Sequence, residues 1–347
     1  MGISFSSAIA SGGTPKLLRN RLSLGELKPG YVADWTYFKD NRHVAVAKPD
    51  IGKVYVLNSQ TPADICPAIN LDGEPISVGS AITESSRHLC VGLRNSNDKS
   101  ALIILTAEST EFAADLEWKI EARLTHPSFS NPHVWKIIPF DGTFICLGAD
   151  PDYGAFIVKT SPSGDVEWTS ISVGSPDSVP TDIALIPSKP GHILMSMGFG
   201  GSVDIWEFGP TQMEHGKSLT PPSEIFQGLG FRPSLIRYHP GRDRFWAASY
   251  NQLWSATVDD EWAVPIQVTS EVDCINDLAI TTDGRRMFAA CTYTNRIQML
   301  EMGSKFSLEA KSPWLVSIQG DDLYVLEQDE NEESILQVIR AATESPE

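Results

Sequence analysis

The sequence is poor in positive charge and has no long hydrophobic run. Its 27 Lys and Arg residues stand against 44 Asp and Glu residues, which gives a formal net charge of −17. This balance argues against a nucleic-acid-binding protein, because such proteins carry clustered basic residues. No apolar stretch reaches the roughly 18 residues that a membrane-spanning helix needs. We therefore expect partners other than nucleic acids and a chain without a transmembrane segment.

Cysteine is also scarce in this sequence. The five residues, Cys66, Cys90, Cys146, Cys274 and Cys291, are odd in number, and no pair has Cys-x-x-Cys spacing. A disulfide framework and a structural zinc site are therefore not expected. The cysteines at 90, 146 and 291 fall in apolar runs, where cysteine behaves as a small hydrophobic residue. This usage predicts a reducing compartment, and we expect a cytoplasmic protein.

The first 15 residues contain no Lys or Arg and no long apolar core, so a secretory signal is not expected. The sequence does begin with a match to the pattern M-G-x-x-x-[ST], in which Gly2 would be myristoylated. Lys16, Arg19 and Arg21 would add a weak basic signal, although one acyl chain gives only marginal membrane binding. The alternative is a flexible tail over residues 1–15.

The remaining composition is that of a globular protein. Hydrophobic residues make up 41% of the chain and charged residues 20%, which excludes wholesale disorder. The 26 Gly and 23 Pro residues are spread along the chain rather than concentrated in a linker. Such a distribution is typical of many short strands joined by turns.

An internal repeat is the most informative feature of the sequence. Seven times, a polar or Gly-rich turn leads into an alternating strand, and a further strand follows after a polar loop. Turns such as Asp283-Gly284-Arg285 supply the backbone angles that a hairpin needs. The alternating strands are expected at 43–47, 88–92, 143–147, 192–196, 244–248, 286–290 and 322–326. The following strands are expected at 54–57, 102–105, 156–158, 203–206, 253–256, 297–300 and 335–338.

The repeat predicts an all-β fold. Its spacing of about 37 to 53 residues matches the blades of a propeller, and no helical periodicity competes over a long window. Candidate fourth strands lie at 116–122, 166–173, 265–268 and 306–310. We therefore predict one domain over residues 16–340 with seven blades of four antiparallel strands.

The seventh repeat has too little sequence for an outer strand of its own. Residues 16–24 partly alternate and precede the first blade, so we expect them to pair with the strand at 335–339. This N-terminal strand would close the ring and remove an open sheet edge. Residues 341–347 are then a polar, acidic tail.

The repeats resemble those of seven-bladed β-propellers of the WD40 and YVTN type. Residues 276–290, with the sequence NDLAITTDGRRMFAA, match these repeats best, and residues 201–207 are similar to the end of the third strand of a WD40 repeat. The Gly-His pair that precedes the blades of WD40 proteins is missing before these blades, and only Trp206-Glu207 approximates the terminal Trp-Asp of WD40 repeats. The resemblance spans residues 30–340 and implies a propeller without indicating a particular family.

The residues that begin the inner strands would form a ring at one mouth of the central channel. Alignment of the repeats on the alternating strand gives Asp34, Ser80, His133, Asp182, Ser234, Asn276 with Asp277, and Trp314. Carboxylate and amide oxygens favour one divalent cation such as calcium, and a histidine also admits zinc or manganese. The candidate metal ligands are Asp34, Asp182, Asn276 and Asp277. The candidate catalytic residues are Asp34, His133, Asp182 and Asp277.

A second interpretation gives the same residues a structural role. The WD40 resemblance implies that Asp at this point caps turns and hydrogen-bonds a neighbouring blade, and buried polar groups need partners in any protein. The segment around Asn276 instead resembles a metal-binding segment of gluconolactonase-type propellers. In the first blade, Asp34 stands where those enzymes have a glutamate ligand.

Two functions remain open at this point. The first is a binding or interaction platform that holds a protein or a small-molecule ligand at the channel mouth. The second is a small-molecule enzyme, a metal-assisted lactone hydrolase, a lyase or an isomerase, in which Asp or His moves the proton. Neither a Gly-x-Ser-x-Gly nor a His-Glu-x-x-His motif is present, which favours the platform.

Overall fold

The computed structural model describes fourteen stretches of the chain. They are residues 20–23, 32–38, 43–58, 66–109, 116–150, 154–171, 179–209, 212–225, 231–239, 241–268, 274–301, 304–320, 322–328 and 334–339. Nearly all regular structure in them is β-strand, with one-turn 3-10 helices at Pro49–Ile51, Gly198–Gly200 and Ser223–Ile225. No helix in these stretches is long and apolar enough to cross a membrane.

The strands in these stretches form seven sheets of four antiparallel strands each. In chain order they are β1 (Asn20–Ser23), β2 (Asp34–Tyr37), β3 (His43–Lys48), β4 (Lys53–Asn58), β5 (Ile69–Asn70), β6 (Glu74–Ile82), β7 (Arg87–Arg94), β8 (Ser100–Ala107), β9 (Lys119–Thr125), β10 (His133–Phe140), β11 (Thr143–Asp150), β12 (Gly154–Thr160), β13 (Val166–Ile171), β14 (Asp182–Leu185), β15 (His192–Met197), β16 (Ser202–Phe208), β17 (Met213–Leu219), β18 (Leu235–His239), β19 (Arg244–Ser249), β20 (Gln252–Thr257), β21 (Ile266–Gln267), β22 (Ile275–Ile280), β23 (Arg286–Cys291), β24 (Arg296–Glu301), β25 (Ser304–Glu309), β26 (Pro313–Gln319), β27 (Asp322–Gln328) and β28 (Ser334–Ile339). Six sheets pair four consecutive strands, and the seventh has the order β1-β28-β27-β26. We number these sheets as blades 1 to 7, beginning with the sheet that contains β2.

The chain divides into two compact units. One unit, residues 30–220, holds blades 1 to 4, and the other, residues 1–29 with 221–347, holds blades 5 to 7. The prediction of seven four-stranded antiparallel blades is confirmed. The outer strands β9, β13, β21 and β25 lie within three residues of their predicted starts, whereas β5 and β17 were not predicted.

The middle strands of the blades are buried on both faces. All six residues of β23 are buried, and so are all six of β28. The outer strand β9 has one buried residue among seven. A middle strand therefore needs an almost continuous apolar sequence, whereas an outer strand does not, and this difference explains which strands the sequence reveals.

Packing between blades 2 and 3 is especially close. Cys90 and Cys146 lie on the second strands of these blades, are fully buried, and have their sulfur atoms 3.8 Å apart. Burial and the neighbouring Cys90 both raise the pKa of the Cys146 thiol well above its usual range. These cysteines are packing residues, as predicted from the apolar runs around them.

Gly92 allows the same two blades to approach each other at the backbone. A Cβ atom at this position would lie 2.2 Å from Ser77 Oγ and 2.3 Å from the carbonyl oxygen of Val134. The second of these atoms belongs to the backbone of the next blade, so it cannot rotate away. Only glycine fits at this contact without moving a strand.

The change Gly92→Ala should lower the free energy of unfolding by roughly 1–3 kcal/mol, because the methyl group forces blades 2 and 3 apart. Urea denaturation of the purified variant measures this loss. Gly241→Ala is the matched control, since a Cβ atom there would lie 3.4 Å from its nearest neighbour, the carbonyl oxygen of Asp283, which is an ordinary contact distance. Equal stabilities for the two variants would contradict the packing argument.

The seventh blade combines strands from both ends of the sequence. The strand β1 pairs antiparallel with β28, with Asn20 opposite Val338 and Ser23 opposite Ile335. The predicted N-terminal closing strand is therefore confirmed for residues 20–23. Residues 16–19 and 24, and the predicted tails at 1–15 and 341–347, lie outside the described residues.

Deletion of residues 1–24 should lower the thermal midpoint sharply or make the protein insoluble, because it exposes the edge of β28. Deletion of residues 341–347 should change the midpoint little, because that segment is polar. Thermal unfolding followed by circular dichroism compares the two. An N-terminal deletion that melts like the intact protein would overturn the pairing between β1 and β28.

Candidate functional site

The candidate site residues lie toward one edge of each blade. Antiparallel pairing brings the start of the first strand, the end of the second strand and the start of the third strand to this edge. In blade 1, for example, Asp34 lies opposite Ala47, which in turn lies opposite Val54. We call this end of the strands the upper edge of the blade, and the opposite end its lower edge.

The strand register identifies the equivalent position in each blade. In each blade, one inner-strand residue lies opposite the last residue of the predicted alternating strand, and we call its place the shared position. The residues at the shared position are Asp34, Ser77, Lys136, Asp182, Leu235, Asp277 and Leu315. The three aspartates therefore share one position, as the sequence alignment had them. Ser80, His133, Ser234 and Trp314 lie one to three residues away from this position.

β-Bulges interrupt several inner strands close to the shared position, including that of blade 6 between Ile275 and Asp277. The register of the inner strand shifts between Pro75 and Ser77 in blade 2, and between Val134 and Lys136 in blade 3. A similar shift occurs between Pro313 and Leu315 in blade 7. Each bulge adds a residue to the inner strand close to the upper edge, so His133 is three residues but only two paired positions from Lys136.

Asp34 and Ser77 use their side chains to contact the next blade. One Asp34 carboxylate oxygen, Oδ2, accepts a hydrogen bond from the backbone N–H of Val78 at 3.0 Å. Ser77 Oγ donates to the carbonyl oxygen of Val134 at 2.6 Å. In both cases the side chain at the shared position pairs with backbone of the following inner strand.

Asp277 makes the same contact in the other unit. Its Oδ2 accepts from the backbone N–H of Val316 at 3.0 Å, and its Oδ1 accepts from Arg237 Nη2 at 2.6 Å and from the N–H of Leu278 at 2.8 Å. The aspartate is 6% exposed. A buried carboxylate needs partners of this kind, and Asp277 thereby joins the inner strands of blades 5, 6 and 7.

Asp182 is also buried and paired. It is 1% exposed, and its Oδ1 lies 3.4 Å from Lys136 Nζ and accepts from the N–H of Ile183 at 3.0 Å. Lys136 occupies the shared position in blade 3. The ion pair therefore connects equivalent positions of blades 3 and 4.

Asn276 is engaged within its own unit. Its Nδ2 donates to Thr292 Oγ1, and that hydroxyl donates to the carbonyl oxygen of Pro313 at 2.5 Å. This chain links the upper edges of blades 6 and 7. Across the described residues, no three His, Cys, Asp or Glu side chains are grouped to hold a metal ion. The metal site built on Asp34, Asp182, Asn276 and Asp277 stays a prediction.

His133 is the candidate with the most distinctive protonation state. Burial lowers its pKa and nearby Arg94 lowers it further, while Asp150 and Glu74 act in the opposite direction. Its Nε2 atom is buried and has no hydrogen-bond partner among the residues that the structure describes. The imidazole is therefore neutral near pH 7, which is the state required of a proton acceptor.

Two features of the upper edge, an exposed aromatic pair and a cavity, were not identified from the sequence, although Trp314 was placed in the ring at the channel mouth. Tyr293 is 76% exposed and Trp314 is 39% exposed. Beside them is a cavity of about 590 Å³, lined by Thr294, Asn295, Arg296, Glu309, Ala310, Lys311, Glu327 and Gln337. Strand patterns say nothing about side chains in the loops between strands, so Tyr293 gave no signal.

Comparison with known proteins gives fold similarity only. No protein-family model and no curated protein matches the sequence. The crystal structure of Chaetomium thermophilum Raptor is similar, with a TM-score of 0.64 and 11% identity, over 90% of this chain and 28% of that chain. The β-propeller domain of Myceliophteria thermophila Cps50 (Swd1) is similar with a TM-score of 0.64 and 9% identity, over 92% of this chain and 99% of that chain. Together with the seven sheets, these similarities show a WD40-like, seven-bladed β-propeller fold.

The structural role of Asp277 is testable against a metal-binding role. Asp277→Ala should lower the free energy of unfolding by roughly 2–4 kcal/mol, because it leaves the Val316 N–H and Arg237 without their partner. Denaturation in buffer with EDTA and in buffer with calcium should show the same loss. The exposed Glu224→Ala is the control and should be neutral. A loss that occurs only with calcium would support the metal site instead.

Proposed function

We propose that this protein is a β-propeller platform that binds a protein partner at the upper edges of blades 6 and 7. The observation that carries the proposal is the pair of exposed aromatic side chains, Tyr293 and Trp314. Tyrosine and tryptophan are the residues most enriched among those that dominate binding energy at protein interfaces.

The two aromatic residues are neighbours on adjacent blades. Tyr293 lies in the loop between β23 and β24 of blade 6, and Trp314 is the second residue of β26 in blade 7. The residues that precede them are joined, because Thr292 Oγ1 donates to the carbonyl oxygen of Pro313 at 2.5 Å. One partner segment can therefore contact both side chains.

Their exposure is unusual within the described part of the chain. The large hydrophobic residues that are exposed there are Ile51, Ile120, Val166, Val264, Tyr293 and Trp314. Only the last two are aromatic, and only they lie on adjoining upper edges of one unit. Exposed apolar groups that lie together on one edge mark an interaction site more often than single scattered ones.

The polar candidates support the same conclusion. Asp34, Asp182 and Asp277 each pair with a neighbouring inner strand, through hydrogen bonds or the ion pair to Lys136. Carboxylates held in this way serve the contacts between blades, which is the structural role that the WD40 resemblance implies. The upper edge then offers exposed aromatic groups in preference to a closed catalytic pocket.

A small-molecule enzyme is the second candidate, and His133 is the observation that favours it. Its neutral imidazole and unpaired, buried Nε2 suit a general base. A metal-assisted lactone hydrolase would also hold one divalent metal per chain, which elemental analysis of the purified protein measures. Without bound metal, and with lactone turnover unchanged in His133→Ala, this candidate fails.

We further propose a cytoplasmic location. None of the five cysteines, all among the described residues, forms a disulfide, and four of them are buried. Free cysteines are usual where thiols are kept reduced. The predicted myristoylation of Gly2 lies outside the described residues, and mass spectrometry of the protein from its natural source tests it directly.

Site-specific photo-crosslinking tests the platform. A photoreactive phenylalanine analogue at position 293 should trap a partner in cells, and the purified partner should then bind the intact protein. Tyr293→Ala and Trp314→Ala should each weaken that binding about tenfold or more, as for residues that dominate an interface.

Val264 provides the control for this experiment. It is 63% exposed and lies between the end of β20 and the start of β21, at the lower edge of blade 5. The analogue at position 264 should not trap the same partner, and Val264→Ala should leave its affinity unchanged. A partner that binds both aromatic variants as tightly as the intact protein would overturn the proposal.

A further inference from the structure

The cavity at the upper edge of blades 6 and 7 contains a deeply buried carboxylate. Glu327, near the end of β27, is 2% exposed although it lines a cavity of about 590 Å³. Its Oε1 accepts a hydrogen bond from the backbone N–H of Lys311 at 3.1 Å, and its Oε2 accepts from Gln337 Nε2. These bonds hold the carboxylate in a fixed position at the cavity wall.

The other charged groups that line the cavity are exposed. Arg296 lies directly opposite Glu309 in the register of β24 and β25, where side chains of opposite charge interact. Lys311 contributes its backbone N–H to Glu327, while its side chain is exposed. Because water screens a buried charge far less than an exposed one, the Glu327 carboxylate is the least screened charged group in the cavity wall.

Both exposed aromatic residues are close in sequence to residues that line the same cavity. Tyr293 precedes Thr294 in the chain, and Thr294 is a lining residue. The backbone N–H of Ser312, two residues before Trp314, donates to Asn295 Oδ1 at 2.8 Å. A group bound in the cavity therefore lies near the Glu327 carboxylate, and both exposed aromatic residues are close in sequence to the cavity wall.

We infer that this cavity receives a basic side chain, Arg or Lys, from a peptide segment of the partner. The inference rests on the proposed function and adds the chemical class of the segment that docks. Aromatic faces attract cations, and the aliphatic stem of Arg or Lys packs against them. The buried carboxylate of Glu327 would then pair with the charged end. The net charge of −17 also favours a basic partner through long-range attraction.

Three matched tripeptides test this inference without knowledge of the partner. They are acetylated and amidated Ala-Arg-Ala, Ala-Gln-Ala and Ala-Glu-Ala, each titrated against the full chain by saturation-transfer NMR. The arginyl peptide should bind at least about fivefold more tightly than the glutaminyl peptide, and the glutamyl peptide should bind most weakly. The affinity of the arginyl peptide should also fall as the salt concentration is raised.

Two variants locate the bound side chain. Glu327→Gln keeps the shape of the residue and should reduce the arginyl affinity to that of the glutaminyl peptide. Tyr293→Ala changes only an exposed side chain, so it should fold normally and still weaken arginyl binding severalfold. Val264→Ala should have no effect. The thermal midpoint of each variant shows whether it is folded.

Several outcomes would overturn the inference. Equal binding of the three peptides, or a preference for the glutamyl peptide, would do so, and the latter would make Arg296 and Lys311 the binding groups. If the arginyl peptide binds Tyr293→Ala and folded Glu327→Gln as tightly as the intact protein, its binding site lies elsewhere. A crosslinked partner that depends on Trp314 but not on Glu327 would leave the platform standing while this inference fails.

Discussion

The hydrogen bond between an inner-strand side chain and the backbone of the next inner strand is the contact on which the rest depends. Asp34 reaches Val78 in this way, and Asp277 reaches Val316. Each bond fixes one blade against its neighbour at the upper edge, where the loops begin. Because Tyr293, Trp314 and the cavity lie at the upper edges of blades 6 and 7, the order of this binding edge follows from the Asp277 carboxylate buried between their inner strands.

The sequence predicted the middle strands well and the outer strands poorly. A middle strand such as β7 is buried along nearly all its length, so its apolar residues reveal it. The outer strand β17 buries only its first and last residues, and β5 has two residues in all. Outer strands are specified by pairing with one neighbour rather than by burial, and a hydrophobic pattern does not record that pairing.

The candidate site was predictable in residue type and only partly in position. The three aspartates were aligned correctly, since each lies opposite the last residue of its alternating strand. In blade 3 a bulge and a longer strand bring Lys136, not His133, to the shared position. The Lys136–Asp182 ion pair could not be foreseen, because it depends on two blades being adjacent in space.

The buried pair Cys90 and Cys146 gives the molecule a built-in reporter of its own opening. Both thiols are inaccessible, and the raised pKa keeps the Cys146 thiol protonated and unreactive toward alkylating reagents. These sulfurs can therefore be chemically modified only when blades 2 and 3 separate. The rate at which an alkylating reagent modifies these two thiols, compared with its rate at the exposed Cys274, therefore measures how often the interface between blades 2 and 3 opens in the native protein.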